Sequence, residues 1–337
     1  MPLTPFSADT GLSKVNNKEA RHETYHPAST LLRVTLGSCN RNKQGQGSTL
    51  ENTTTSGVIT ICVDETLKPI IEEEIEVFEG LYPKANIIPI YTTEVEAFNQ
   101  LFNDSVKLIV ATRSLSEEEI NALQANSLYP KISKVAIDGV ALICHRNNPD
   151  SLVTMEQLHD IFTGKTTRWD QLDPKSRMGE IEVVFDNTSS STVRYVIEKI
   201  NKGAELKGNI KATQTNEGVI DYVANVPNAI GVIGSNWIGN DNDTTNLSFN
   251  DNIQVMLISS DPLAFNGNSY QPYQAYLAME LYPLSREIYM ICTSNRNSLP
   301  YGFTSFVSSD KGQRIILKSG ILPARQPLRV VNVRENL

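Results

Sequence analysis

The chain has 337 residues, 40% of them hydrophobic and 20% charged, with 19 Gly and 16 Pro. That composition excludes a wholly disordered chain, a collagen-like repeat and a disulfide-dense mini-protein, and it leaves room for two domains of ordinary size. Thirty basic against 38 acidic residues give a net charge of −8 without a basic stripe, which argues against a nucleic-acid partner. No apolar run approaches the roughly 18 residues of a membrane-spanning helix.

Residues 1–56 differ from the rest. They are rich in Asn, Thr, Ser and Lys and lack amphipathic periodicity, and they read as a non-globular leader and polar tether. Within them Leu36-Gly37-Ser38-Cys39 has the form of a bacterial lipobox, in which Cys39 would carry a lipid. The preceding apolar stretch, Ala28–Leu36, is short and broken by Arg33, so a plain leader stands beside that reading. Cys62, Cys144 and Cys292 lie in apolar, strand-like runs and read as small buried hydrophobes. Residues 328–337 read as a tail.

From Gly57 onward, short apolar runs alternate with helical patterns, which predicts α/β architecture with parallel strands. Strands are expected at Gly57–Val63, Asn86–Tyr91, Lys107–Ala111 and Ile181–Phe185. Helices are expected at Leu67–Phe78, with Pro69 in the first turn, at Glu94–Phe102, from near Ser116, and through Tyr195 and Ile200. The four strand-to-helix junctions read Asp64-Glu65-Thr66, Thr92-Thr93, Thr112-Arg113-Ser114 and the hydroxyl-rich run from Asp186 to Thr192. Ligands of parallel sheets bind beyond the carboxyl ends of the strands, where helix N–H groups point outward. Hydroxyls added there donate without adding charge, which suits an oxyanion.

Some of these residues have a local structural role as well. Thr93 with Glu96, and Ser116 with Glu119, fit capping boxes, and Thr66 could serve as a cap. The Ser/Thr run 188–192 exceeds what one cap requires. The histidines (His22, His26, His145, His159) have no metal-ligand spacing, no nucleophile elbow or HExxH helix occurs, and no cofactor is implied. The chain does not read as an enzyme.

Residues 161–169, IFTGKTTRW, preceded by Thr154-Met155-Glu156-Gln157-Leu158, resemble a segment of the PstS-type phosphate-binding proteins, the extracytoplasmic receptors of phosphate ABC importers. Asp138–Ile143, Asn228–Ile233, Tyr282–Arg286 and Ser308–Gly320 match in the same order, so the resemblance covers roughly residues 57–327. It implies a type II periplasmic-binding-protein fold: lobe one from 57–137 plus 263–327, lobe two from 138–262, two crossing strands, and a ligand cleft between the lobes. It implies hinge closure on inorganic phosphate and delivery to a membrane permease. It further implies a monomer in the periplasm or at the outer face of the cytoplasmic membrane, held there if Cys39 is lipidated. Gly164, Trp169 and Gly231 read as packing and turn residues, and Arg194 as a solvated helix face.

Carried over residue by residue, the family's anion ligands fall on Thr66, on Thr92 in preference to Thr93, and on Ser190-Ser191-Thr192, where Ser191 replaces a glycine. The family's aspartate after the third strand and arginine before the lobe-two turn match Arg113 and Asp186, so the two charges look exchanged. On this reading Arg113 donates a fork of hydrogen bonds and Asp186 accepts the phosphate proton, with an Arg113–Asp186 salt bridge as the competing arrangement. A receptor for another tetrahedral oxyanion (sulfate, molybdate or tungstate), or a phosphate sensor uncoupled from transport, is the alternative.

Overall fold

The structure is a computed structural model and describes residues 52–325 except 241 and 244–247. The expected leader through residue 51, Cys39 and the tail lie outside the described residues. Folded chain begins earlier than the composition shift suggests. Thr53 N–H donates to the Ser56 carbonyl (2.9 Å), and Asn52 Oδ1 accepts from the N–H of Leu299 (3.2 Å). A Cβ on Gly302 would stand 1.9 Å from the Thr54 carbonyl oxygen, so this short segment lies directly against a helix that only glycine admits there.

The elements follow the periodicities. In the first part of the chain β1 (Gly57–Asp64), α1 (Lys68–Leu81), β2 (Ala85–Thr92), α2 (Glu94–Phe102), β3 (Leu108–Ala111) and α3 (Glu117–Ala125) alternate. Pro69 sits in the first turn of α1, where its missing N–H costs no helical bond. Thr93 caps α2, and Ser116 with Glu119 closes a capping box on α3. There follow β4 (Lys131–His145), β5 (Leu152–Thr154), α4 (Met155–Phe162), β6 (Glu182–Phe185), α5 (Ser191–Tyr195), which continues as a π-type turn to Ile200, β7 (Ile210–Ala212), α6 (Asn216–Asn225), β8 (Ala229–Gly234), β9 (Ile253–Val255) and β10 (Leu257–Ser259). The chain ends through α7 (Gln274–Ala278), β11 (Ser285–Cys292), α8 (Leu299–Val307), α9 (Asp310–Lys318) and β12 (Leu322–Pro323).

The strands form a ten-stranded sheet whose main path is β2-β1-β3-β11-β4-β8-β6-β7. β4 joins its two halves. With 15 residues it spans roughly 50 Å at the usual strand rise. Lys131–Gly139 pair with β11, and Val140–Cys144 pair with β8. Each half is sandwiched by helices. Ile70, Phe78, Phe303 and Ile316 pack on one face of the first half, and Phe98, Leu101 and Leu123 on the other. In the second half Trp169, fully buried, packs with Phe162, Phe185 and Val196 on one face, while Val219 and Val223 of α6 cover the other. A Cβ on Gly231 would lie 2.8 Å from Ile143, Val219 and Val223, so glycine lets α6 sit down on β8. Leu277, Tyr282 and Leu284 belong to the second-half core, so the chain returns to the first half at β11 rather than near residue 263.

One buried group stands against this packing. Glu74, on the inner face of α1, is fully buried and neither carboxyl oxygen has a hydrogen-bond partner. Burial, with Glu73 beside it, pushes its carboxyl up to about 9. The folded protein therefore keeps Glu74 neutral while the unfolded chain ionises it above the ordinary value of 4.5, so stability is lost as pH rises from 4.5 towards about 9. Glu74→Met is expected to stabilise by on the order of 1–4 kcal/mol at mildly alkaline pH and by much less near pH 4.5. Urea denaturation of both proteins across that range measures the difference.

Candidate functional site

The carboxyl ends of β1, β3 and β6 face one another across the junction of the two halves, and buried polar side chains gather there. Asp64 ends β1 and accepts from both the N–H and the hydroxyl of Thr66, each at 2.9 Å. Thr66 is fully buried, and its Oγ1 lies 3.2 Å from Oγ of Ser191, 125 residues away on the other half. The carbonyl of Thr66 accepts from Trp237 Nε1 (2.8 Å) and Asn236 Nδ2 (3.1 Å), again across the junction. Residues from opposite halves thus close on one threonine.

Beneath this contact lies Arg286, the direct partner of Asp138 in the β11–β4 register. Its guanidinium donates to Asp138 Oδ2 through Nε (3.2 Å) and Nη2 (3.0 Å). The same fork reaches Thr66 Oγ1 through Nη2 (3.2 Å) and Ser191 Oγ through Nη1 (3.1 Å). Ser235 Oγ donates to Asp138 Oδ1 at 2.6 Å. A Cβ on Gly234 would stand 2.9 Å from Nη2 of Arg286 and 3.1 Å from Asp138, so the absent side chain makes room for the pair. Sequence reasoning missed Arg286, Asp138 and Ser235 as site groups. Both charged residues lie in segments already noted for their resemblance, but nothing local marks them as a pair.

The hydroxyl-rich turn does two jobs. Ser190 caps α5, accepting from Val193 N–H (3.3 Å), and its Oγ lies 2.6 Å from Thr192 Oγ1. Thr192 donates to Asp186 Oδ1 at 3.1 Å. Ser190, Ser191, Thr192 and Asp186 are all buried. Asn187 Nδ2 reaches across to the Glu65 carboxylate. Of the sequence candidates, Thr66, Asp186, Ser190, Ser191 and Thr192 are therefore brought together.

Arg113 is not, and Thr92 stands beside Asp64 without a side-chain hydrogen bond to the cluster. Arg113 clamps Glu119 of α3 with both terminal nitrogens (2.8 and 2.9 Å), its carbon Cζ 3.6 Å from the Phe98 ring centroid. It neither meets Asp186 nor reaches the hydroxyl cluster, so both the exchanged-charge arrangement and its salt-bridge rival give way to a local pair. The reason is proximity in sequence: the carboxylate six residues on and the ring of Phe98 take the guanidinium first. Thr92 ends β2, half-buried, opposite Asp64 in the register. The junction after β3 is instead organised by Glu94, whose Oε1 accepts from the N–H (2.8 Å) and hydroxyl (2.9 Å) of Thr112. Arg194 crosses from α5 to Glu94 Oε2 (2.7 Å) and Thr112 Oγ1 (3.0 Å), and so is no solvated face.

A family model described as a PBP superfamily domain matches residues 48–311. The chain belongs to the PBP superfamily. Among curated relatives of this PBP chain, the phosphate-binding protein PstS of Staphylococcus saprophyticus is 24% identical over 283 residues, covering 82% of each chain. The PstS of Staphylococcus aureus is 24% identical over 290 residues, covering 85% of this chain and 82% of its own. Among solved structures, a Clostridium perfringens protein with bound phosphate overlays with a TM-score of 0.65 at 22% identity, over 80% of this chain and all of that one. An ABC-type phosphate transport receptor from Vibrio cholerae overlays at 0.60 and 20% identity, over 79% and 100%. These overlays establish the fold.

The electrostatics of this PBP cleft are lopsided. Among the described residues, the ion pairs made by Asp64, Glu65, Asp138, Asp186 and Glu94 are Asp138–Arg286 and Glu94–Arg194. Burial, then the charge of Glu94, pushes Asp64 up to about 6 against the pull of Arg286 and Ser191. Burial, then Asp186 and Asp64, pushes Glu65 up to about 7 although the Asn187 amide pulls it down. Among the described residues no group of three or more His, Cys, Asp or Glu is placed to hold a metal ion.

Glu94–Arg194 is, among the described residues, the ion pair that runs from one half to the other through helices rather than through the paired strands. The Glu94 side chain is 3% exposed, so removing its partner strands a buried charge. Arg194→Ala is expected to cost about 1–3 kcal/mol of stability, and adding Glu94→Gln to recover part of it. A double-mutant cycle by thermal or urea unfolding that returns no coupling would refute the clasp.

Proposed function

We propose that this protein is an extracytoplasmic receptor that captures inorganic phosphate between its two halves and delivers it to an ABC permease. The observation that carries the reading is the cluster of Thr66, Ser191 and Arg286, contributed by the first half, the second half and the strands that join them. The curated relatives named as phosphate-binding proteins, matched over more than four fifths of both chains, support the same conclusion.

Thr66, Ser190, Ser191 and Thr192 would supply hydroxyls, and Arg286 the guanidinium that places two of them. An oxyanion bridging Thr66 and Ser191 contacts both halves only when they are closed, so binding favours the closed form, and the permease reads that form. A lipid on Cys39 would keep the receptor at the membrane face. With a net charge of −8, the protein's far field repels anions, so capture depends on this local geometry.

Titration calorimetry of the full chain with phosphate, sulfate and molybdate tests the reading. One phosphate is expected to bind per chain, ahead of the other two anions. Thr66→Val and Arg286→Lys are each expected to weaken phosphate binding by about 1–3 kcal/mol, because each leaves a buried oxygen without a donor. Arg113→Ala is expected to change affinity less than about twofold, because its fork is committed to Glu119. Selective binding of sulfate or molybdate would replace phosphate with another oxyanion, and an Arg113→Ala loss equal to that of Thr66→Val would overturn the assignment to Arg286.

A further inference from the structure

The short turn after β8, Ser235-Asn236-Trp237, ties the crossing strands to the first half through three consecutive side chains. Ser235 Oγ donates to Asp138 Oδ1 (2.6 Å) and accepts from the N–H of Gly139 (3.3 Å), which fastens the turn to β4. Asn236 Nδ2 lies between Asp138 Oδ2 (3.4 Å) and the Thr66 carbonyl (3.1 Å). Trp237 Nε1 donates to that same carbonyl at 2.8 Å.

Trp237 is divided between the two halves. Its ring packs on the second-half core that includes Val219 and Val223, so it moves with that half, while its N–H reaches the first. An indole N–H can only donate, and a packed ring has few orientations, so this bond has one geometry. The other indole, Trp169, spends its N–H inside its own half, on the Asn228 carbonyl (3.0 Å). Thr66 is thus held at both ends: Asp64 and Arg286 take its hydroxyl, and the second half takes its buried carbonyl.

We propose that Trp237 is a positioning residue for phosphate: on closure it fastens the Thr66 backbone to the second half, and so holds the Thr66 hydroxyl where an anion bridges it to Ser191. The inference rests on the phosphate reading above and adds the side chain that sets how long the closed form lasts. Trp237 touches no anion oxygen in this role and acts through the carbonyl of the residue that does. Opening the cleft must break its bond, because donor and acceptor belong to different halves. In the closed form the carbonyl is buried and a lost donor is costly; in the open form water replaces it. The first encounter of phosphate with the open form does not involve the bond, so its removal acts on dissociation rather than association.

The test is calorimetry and stopped-flow binding of inorganic phosphate by the unaltered full chain and by Trp237→Phe, which keeps an aromatic ring and removes the N–H. Affinity is expected to fall at least about threefold through faster dissociation, with the association rate changed less than about twofold. Trp169→Phe removes the same kind of N–H within one half and is expected to lower stability while leaving both rates within about twofold. Trp237 is then the single indole of the chain, and phosphate is expected to shield its fluorescence from acrylamide. Each of the two arms decides alone if the other variant does not fold. A Trp237→Phe protein that binds and releases phosphate like the unaltered chain, a loss carried by association, or an indole that phosphate leaves equally open to the quencher overturns this inference while the phosphate reading stands. Absence of phosphate binding by the unaltered chain overturns that reading, and this inference with it.

Discussion

A buried Arg–Asp pair on two crossing strands is the constraint around which the cleft is built. Arg286 and Asp138 face each other in the β11–β4 register, where β4 passes from one half of the sheet to the other. Their side chains are 1% and 0% exposed. Stripping water from two charges is costly, and their mutual attraction repays it only when the remaining donors and acceptors are also satisfied. Each neighbour answers that demand. Ser235 and Asn236 hydrogen-bond Asp138, Gly234 leaves the space, and Thr66 and Ser191 take the guanidinium hydrogens that Asp138 does not.

The same pair couples the halves to the site. Thr66 rides on the first half and Ser191 on the second, while the guanidinium stands on β11 beside the connecting strand β4. Any opening of the cleft must break at least one of the Arg286 bonds to the hydroxyls. Around this centre, Trp237 and Asn236 hold the Thr66 carbonyl, Asn187 holds Glu65, and Arg194 holds Glu94. Closure therefore rests on a mesh of polar contacts rather than on an apolar seam, the kind of junction that water can re-enter at modest cost.

Charge placement separates binding strength from attraction at a distance. The molecule is acidic overall and its cleft is acidic too, so nothing steers an anion inward. Whatever the site gains must come from short, directional donors. Hydroxyls suit that task because each donates or accepts as its neighbours require.

Much of this was legible in the sequence because it is decided locally. Strand and helix periods, Pro69 in a first turn, the caps at Thr93 and Ser116, and the hydroxyls after β1 and β6 depend on residues a few positions apart, where chain geometry leaves little choice. Thr66, Asp186 and the Ser190–Thr192 turn could be picked as site residues on those grounds. Which cation serves the cleft could not. Arg113 stands at the right strand end, yet Glu119 and Phe98, near it in sequence and across its own half, claim it. Arg194 and Arg286 find their partners 100 and 148 residues away, through strand order and register. Local sequence determined which groups stand at the strand ends, and the tertiary structure decided which charges meet there, because pairing across two halves is set by topology and not by spacing along the chain.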